Sequence, residues 1–148
     1  MILLAVAVVL PIVLYVAIVI TNNGIADRIE KLLASHELPE NTVLVDSLSV
    51  AGKLAGNGNG MQYMGAILIE SDLSAEELTE YYSSDFDSIE VREQRTAELD
   101  FINAHHSFSG FKAEAGKNYY SVTCWDDDRA ERFNGFIVGL LDLDLRGH

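Results

Sequence analysis

Residues 1–20, MILLAVAVVLPIVLYVAIVI, hold nineteen apolar side chains, one proline and no charge. Twenty helical residues extend about 30 Å, the depth of a bilayer's hydrocarbon core. Whatever the remainder folds into must therefore hang from a membrane anchor or follow a removed leader. Pro11 weakens a soluble helix but is tolerated in a membrane span. Tyr15 suits a buried position or one at the headgroups.

A cleaved secretory signal has a basic start, a shorter apolar core and a small-residue cleavage site. Here no basic residue precedes the core, and Gly24-Ile25-Ala26 is a poor cleavage site. A lipoprotein needs a cysteine just after the core, and the only cysteine is Cys124. The reading is an uncleaved, single-pass anchor in the cell membrane, with a cleaved signal as its alternative.

Every charged residue follows Ile20, ten basic against 23 acidic, so the net −13 belongs to the rest of the chain. Phosphate contacts need clustered Lys and Arg, which argues against a nucleic-acid binder. The acidic excess serves solubility, or a protein partner with a basic surface, or calcium. One cysteine makes no internal disulfide, so the redox compartment is not readable.

Three segments are expected: an anchor over 1–20, a linker with an amphipathic helix over 21–39, and a globular domain over 40–148. Thr-Asn-Asn-Gly (21–24) breaks the apolar run. Ile25, Ile29, Leu32 and Leu33 then recur at helical spacing, and the helix ends near His36, before Pro39; it is expected to pack on the domain, with a stalk continuing the membrane helix outward as the alternative. Val43–Leu54 and Met61–Glu70 read as strands. The second is apolar on both faces, as a central strand is. Between them Gly56, Asn57, Gly58, Asn59 and Gly60 supply positive φ cheaply, which predicts a β-hairpin.

Ser74-Ala75-Glu76-Glu77 is a capping box, flanked by Leu73 and Leu78 at hydrophobic-staple positions. It opens a helix of roughly ten residues whose buried stripe is Leu78, Tyr81 and Tyr82. Ser88–Thr96 and Asn118–Trp125 read as strands. Between them Phe101, Ile102, Phe108 and Phe111 need burial. Phe136–Leu145 reads as a fifth strand, because Leu141, Leu143 and Leu145 alternate with Asp142, Asp144 and Arg146. A helix through 130–141 is its competitor. The fold class is α+β: an antiparallel sheet of about five strands with helices on one face, preceded by one transmembrane helix.

The candidate sites are few. Gly56–Gly60 lacks the Gly-Lys-Ser/Thr ending of a phosphate loop and precedes a strand, so it reads as a turn that can also contact a partner or ligand. Asp126, Asp127 and Asp128 offer oxygens to a hard cation, with Asp142 and Asp144 as further ligands if the strands adjoin; the EF-hand spacing is absent, and three adjacent acids are otherwise a solvated turn. His105 and His106 point apart in extended chain, and His36, His148 and Cys124 lack zinc-ligand spacing. Cys124, between Thr123 and Trp125, reads as a buried structural thiol. No nucleophile elbow occurs. Asp142, Asp144, Arg146 and His148 are placed to pair charges within the fold.

Asn-Gly-Asn-Gly-Met-Gln-Tyr (57–63), Glu-Glu-Leu-Thr-Glu-Tyr-Tyr (76–82) and Leu-Asp-Leu-Arg-Gly-His (143–148) together resemble a family of small single-anchor membrane proteins of Gram-positive bacteria. The strand, Ser-x-Glu-Glu-Leu…Tyr-Tyr helix and following strand are also similar to small extracytoplasmic lipoprotein domains, from which this chain departs by lacking the lipid-modified cysteine. The resemblance implies a layout and no reaction, and no catalytic residue transfers. It also implies an extracytoplasmic domain, whereas Arg28 and Lys31 against a bare amino-terminal side imply the cytoplasm by the positive-inside rule. The expected function is a membrane-tethered, non-enzymatic interaction domain without cofactor. The alternative is a cation- or small-ligand-sensing extracytoplasmic domain.

Overall fold

A computed structural model describes residues 2–54, 60–99, 106–126 and 135–146. The first helix, α1 (Ile2–Ala34), runs unbroken for 33 residues, about 50 Å. The polar Thr21–Gly24 stretch ends the apolar run without ending the helix. Thr21 keeps its hydroxyl inside the helix by donating from Oγ1 to the Ala17 carbonyl at 2.8 Å. The amphipathic segment is thus the same helix as the apolar one.

After α1 come β1 (Thr42–Gly52), β2 (Gln62–Ser71), α2 (Ala75–Ser83), β3 (Ile89–Glu93), β4 (Tyr119–Trp125) and α3 (Gly135–Leu141). The strands form one antiparallel sheet in the order β1-β2-β4-β3. The class is α+β as expected, but among the described residues the strands number four, not five. The segment read as a fifth strand is α3 followed by a turn. Its first half, Phe136–Leu141, is a contiguous apolar run without alternation. Such a run fits a helix as well as a strand, and contact with α1 decides. The Leu-Asp alternation that suggested a strand lies beyond the helix end.

β2 is interior and buried along both faces, as its doubly apolar sequence requires. On one face Ile67, Ile69, Tyr120 and Val122 meet Leu33 of α1 and Leu78 and Tyr82 of α2. On the other, Val50, Met64, Ala66, Leu68 and Tyr119 are covered by Leu99 and Phe108, with Phe111 and Trp125 at the margin. A strap fixes that cover: the Ser109 amide donates to Asp46 Oδ2 at 2.7 Å, and the Phe108 amide to the Ala97 carbonyl at 2.9 Å. Phe101 and Ile102 lie outside the described residues.

The capping box forms as read. Ser74 Oγ accepts from the Glu77 amide at 3.2 Å, and a Glu77 carboxylate oxygen accepts from the Ser74 amide at 2.8 Å. The backbone amide of Ser74, then its hydroxyl, lowers the Glu77 carboxyl below its usual range.

The α1 face that meets the sheet differs from the one expected. Ile18, Asn22, Ala26 and Leu33 are buried, with Glu30 half-buried, while Leu32 is 58% exposed. Positions 18, 22, 26, 30 and 33 make one continuous helical stripe, and it begins inside the apolar run. Two β1 serines line the seam. Ser49 Oγ donates to Asp27 Oδ1 at 2.5 Å, and Ser47 Oγ donates to Glu30 Oε1. Gly65 completes the fit: a Cβ built there would lie 2.6 Å from Glu30 Cα and 2.7 Å from the Ile29 carbonyl carbon. Only a glycine lets the helix backbone rest on the strand.

Candidate functional site

Where α1 enters the domain, the buried stripe carries an amide. Asn22 is fully buried on this helix face, and burial is costly for an amide unless its hydrogen bonds are made. They are made by three separate elements. Asn22 Nδ2 donates to the Leu141 carbonyl at the end of α3 (3.1 Å) and to Asp144 Oδ2 (2.9 Å). Its Oδ1 accepts from the Tyr63 hydroxyl at the start of β2 (2.7 Å).

Asp144 is also fully buried, and Arg146 grips it side-on, Nε to Oδ1 at 3.0 Å and Nη2 to Oδ2 at 2.7 Å. The same guanidinium reaches back to α1, donating from Nη1 to Asn23 Oδ1 at 2.8 Å. Burial pushes the Asp144 carboxyl up, but hydrogen bonds from Arg146 and Asn22 outweigh it, and the group titrates below the usual carboxylate range. The bond to Asp144 holds the Arg146 guanidinium above its ordinary value. Two backbone contacts extend this clasp. The Met61 amide donates to Asp142 Oδ1 at 2.8 Å, and the Lys53 amide to the Arg146 carbonyl at 3.4 Å.

The structure gathers several sequence candidates at this end. Asp142 and Asp144 belong to the clasp. Gly60 adjoins Met61, and the Asp126 amide donates to the Tyr63 carbonyl at 3.0 Å. Gly56, Asn57, Gly58, Asn59, Asp127 and Asp128 lie outside the described residues; β1 and β2 pair as neighbours on either side of the Gly-Asn segment. Asp142 and Asp144 face protein donors, an amide and a guanidinium, where a cation site needs free oxygens. Among the described residues no group of three or more His, Cys, Asp or Glu is arranged to hold a metal. Of the expected terminal charge pairs, Asp144–Arg146 forms; His148 is outside the described residues, as is His105.

The remaining candidates are dispersed. His106 is half-buried, burial lowers its pKa, and its carbonyl accepts from the Leu99 amide. His36 sits among Tyr81, Tyr82 and Phe86 and pairs with Asp85 at 3.2 Å. Cys124 packs at the margin of the helix-side core. At the far end of the sheet, a cleft lined by Glu93–Arg95 and Ala113–Tyr119 is bounded by Lys117, which bridges Glu70 at 3.1 Å and Glu114 at 3.2 Å.

Sequence reasoning missed Asn22 and Tyr63. The signal was Asn22-Asn23 placed one residue past the apolar run, inside a helix that continues to Ala34. No family model, curated protein or solved structure matches the chain.

Proposed function

We propose that this chain is a single-pass membrane protein whose acidic α+β domain is a non-enzymatic interaction module held rigidly at the bilayer. One observation carries the reading: the helix that is apolar over residues 2–20 is the same helix that packs on the sheet over residues 22–34. Val8–Tyr15 of that helix are exposed, with Leu10 at 65%, so the apolar half needs a cover that the domain does not give it. Cleavage near Ala26 would remove Asn22 and with it the hydrogen bonds it makes to Tyr63, Leu141 and Asp144. That cost favours an anchor over a removable leader.

Fixing height and orientation raises the effective concentration of a membrane-bound partner, so weak contacts suffice. The partner's chemistry follows from the net −13: a basic surface. The proposed contact segments are Gly56–Gly60 and Asp126–Asp128, whose described members flank β2 at the clasp end. The resemblance to small single-anchor proteins of Gram-positive bacteria supports an extracytoplasmic domain.

The test has two steps on the intact chain. Alkaline carbonate extraction of membranes leaves the full-length protein in the pellet; release of a shortened chain overturns the anchor. Co-purification from solubilised native membranes then enriches a stoichiometric basic partner, and charge reversal at Asp126 weakens that complex. Repeated failure to enrich any partner overturns the interaction reading. A reporter fused after His148 reads the side of the membrane.

A further inference from the structure

We propose that α3 and the turn after it form a second membrane contact, a foot that enters the apolar boundary of the bilayer that α1 crosses; the inference rests on the anchor reading above. The last carbonyl of α3, Leu141, accepts from Asn22, only two residues or about 3 Å beyond Ile20. The domain does not stop at that level. Ile18 is only 6% exposed, in a helix whose other apolar residues from Val8 to Ile20 are mostly open, so the fold extends down α1 into its apolar half.

α3 and its turn expose large apolar side chains. Phe136 is 75% exposed, Leu143 53% and Leu145 66%. The polar residues interleaved with them turn inward: Asp142 to the Met61 amide, Asp144 to Asn22 and Arg146. That is the reverse of a water-facing segment, where the acids would face out and the leucines in. The alternation that imitated a strand is here a division between a protein-facing polar side and an outward apolar one. The occupant is lipid rather than a partner's groove, because the Leu141 end of α3 sits only two residues past the apolar run of α1 and the buried Ile18 lies within that run. With a net charge of −13 the domain has no attraction to anionic headgroups, so the contact depends on apolar insertion.

Brominated acyl chains quench tryptophan that lies among them. Phe136→Trp, Leu143→Trp, Tyr15→Trp and Val43→Trp variants of the full chain are reconstituted in phosphatidylcholine vesicles with and without bromine. Each is read against the parent, whose Trp125 is the background. Thermal melts confirm that each variant folds. Tyr15→Trp reports the span. Val43, exposed on β1 away from the clasp, is the water-facing control. The expected result is loss of fluorescence for Tyr15→Trp, Phe136→Trp and Leu143→Trp, and none for Val43→Trp. Quenching of Tyr15→Trp alone overturns the foot and leaves the anchor standing. No quenching of Tyr15→Trp overturns the anchor itself. A blue-shifted but unquenched Phe136→Trp signal that depends on protein density assigns the patch to a second copy, and also overturns the foot.

Discussion

Substituting Gly65 with alanine tests whether the continuous helix is seated on the sheet as described. The added methyl would lie 2.6 Å from Glu30 Cα and 2.7 Å from the Ile29 carbonyl carbon. Carbon atoms pack at about 3.5 Å or more, so α1 must lift by about 1 Å. The obstruction is backbone, which cannot rotate aside. Lifting also strains the Ser49–Asp27 bond and loosens Leu33 in the core. Overpacking of this kind costs about 1–3 kcal/mol, and a backbone obstacle puts Gly65→Ala near the upper end. For a chain of this size that lowers Tm by roughly 10 °C. Gly24→Ala is the matched control. It sits in the same helix, a Cβ there meets nothing within 4 Å, and alanine gains about 0.5–1 kcal/mol in a helix interior. Circular-dichroism melts of both variants in detergent read the difference. If Gly65→Ala melts with the parent or above it, the helix does not rest on β2 and the rigid junction is wrong.

Asn22→Ala should cost about 2–4 kcal/mol, since it removes three hydrogen bonds from a buried site and opens a small cavity. Adding Tyr63→Phe to that variant should cost much less than Tyr63→Phe alone, as read by a double-mutant cycle. Tyr82 is pushed up to about 12 by burial and then by neighbouring Tyr81, and its hydroxyl has no partner among the described residues; Tyr82→Phe should therefore hold stability or raise it by about 1 kcal/mol at most, read as an unchanged or higher Tm. The Asp144 carboxyl titrates lower folded than unfolded, so its stabilisation is present above the unfolded pKa of about 3.9 and fades as pH falls through the folded value. Urea unfolding of the parent and Asp144→Asn should accordingly differ at neutral pH and converge in acid. Ser74→Ala should cost about 1 kcal/mol through the lost cap, and Ser74→Thr most of that less.

Local chemistry was legible where a few neighbouring residues decide the outcome. The capping box of α2 needs only Ser74 and Glu77, and β2 announces its interior place through apolar residues on both faces. The junction was not legible, because its determinants are far apart in sequence. Asn22 meets Leu141 and Asp144 across gaps of 119 and 122 residues. No window of periodicity spans that distance. The polar Thr21–Gly24 stretch looked like a break because a helix boundary and a membrane boundary carry the same composition. Leu32 looked buried because helical spacing fixes a face only to within a residue or two. It is exposed because Gly65 draws the Ile29–Glu30 side of α1 onto the sheet.

The misread strand shows what the clasp does physically. Leu-Asp-Leu-Asp-Leu-Arg has the period of a strand, yet every strand bond it needs would have to come from a sheet edge. Asn22 offers two amide hydrogens to this segment instead, and Arg146 neutralises the one acid that becomes fully buried. An apolar contact between α1 and α3 would tolerate rotation of α1; three directional bonds on one side chain do not. A turn of one residue, about 100°, would carry Asn22 off Tyr63 and bring Glu30 off Gly65 together. The two fixed points lie eight residues or about 12 Å apart on the same stripe, so they set both rotation and height. Loss of either should leave the sheet folded while freeing α1 to turn, Asn22→Ala by removing bonds and Gly65→Ala by introducing a clash.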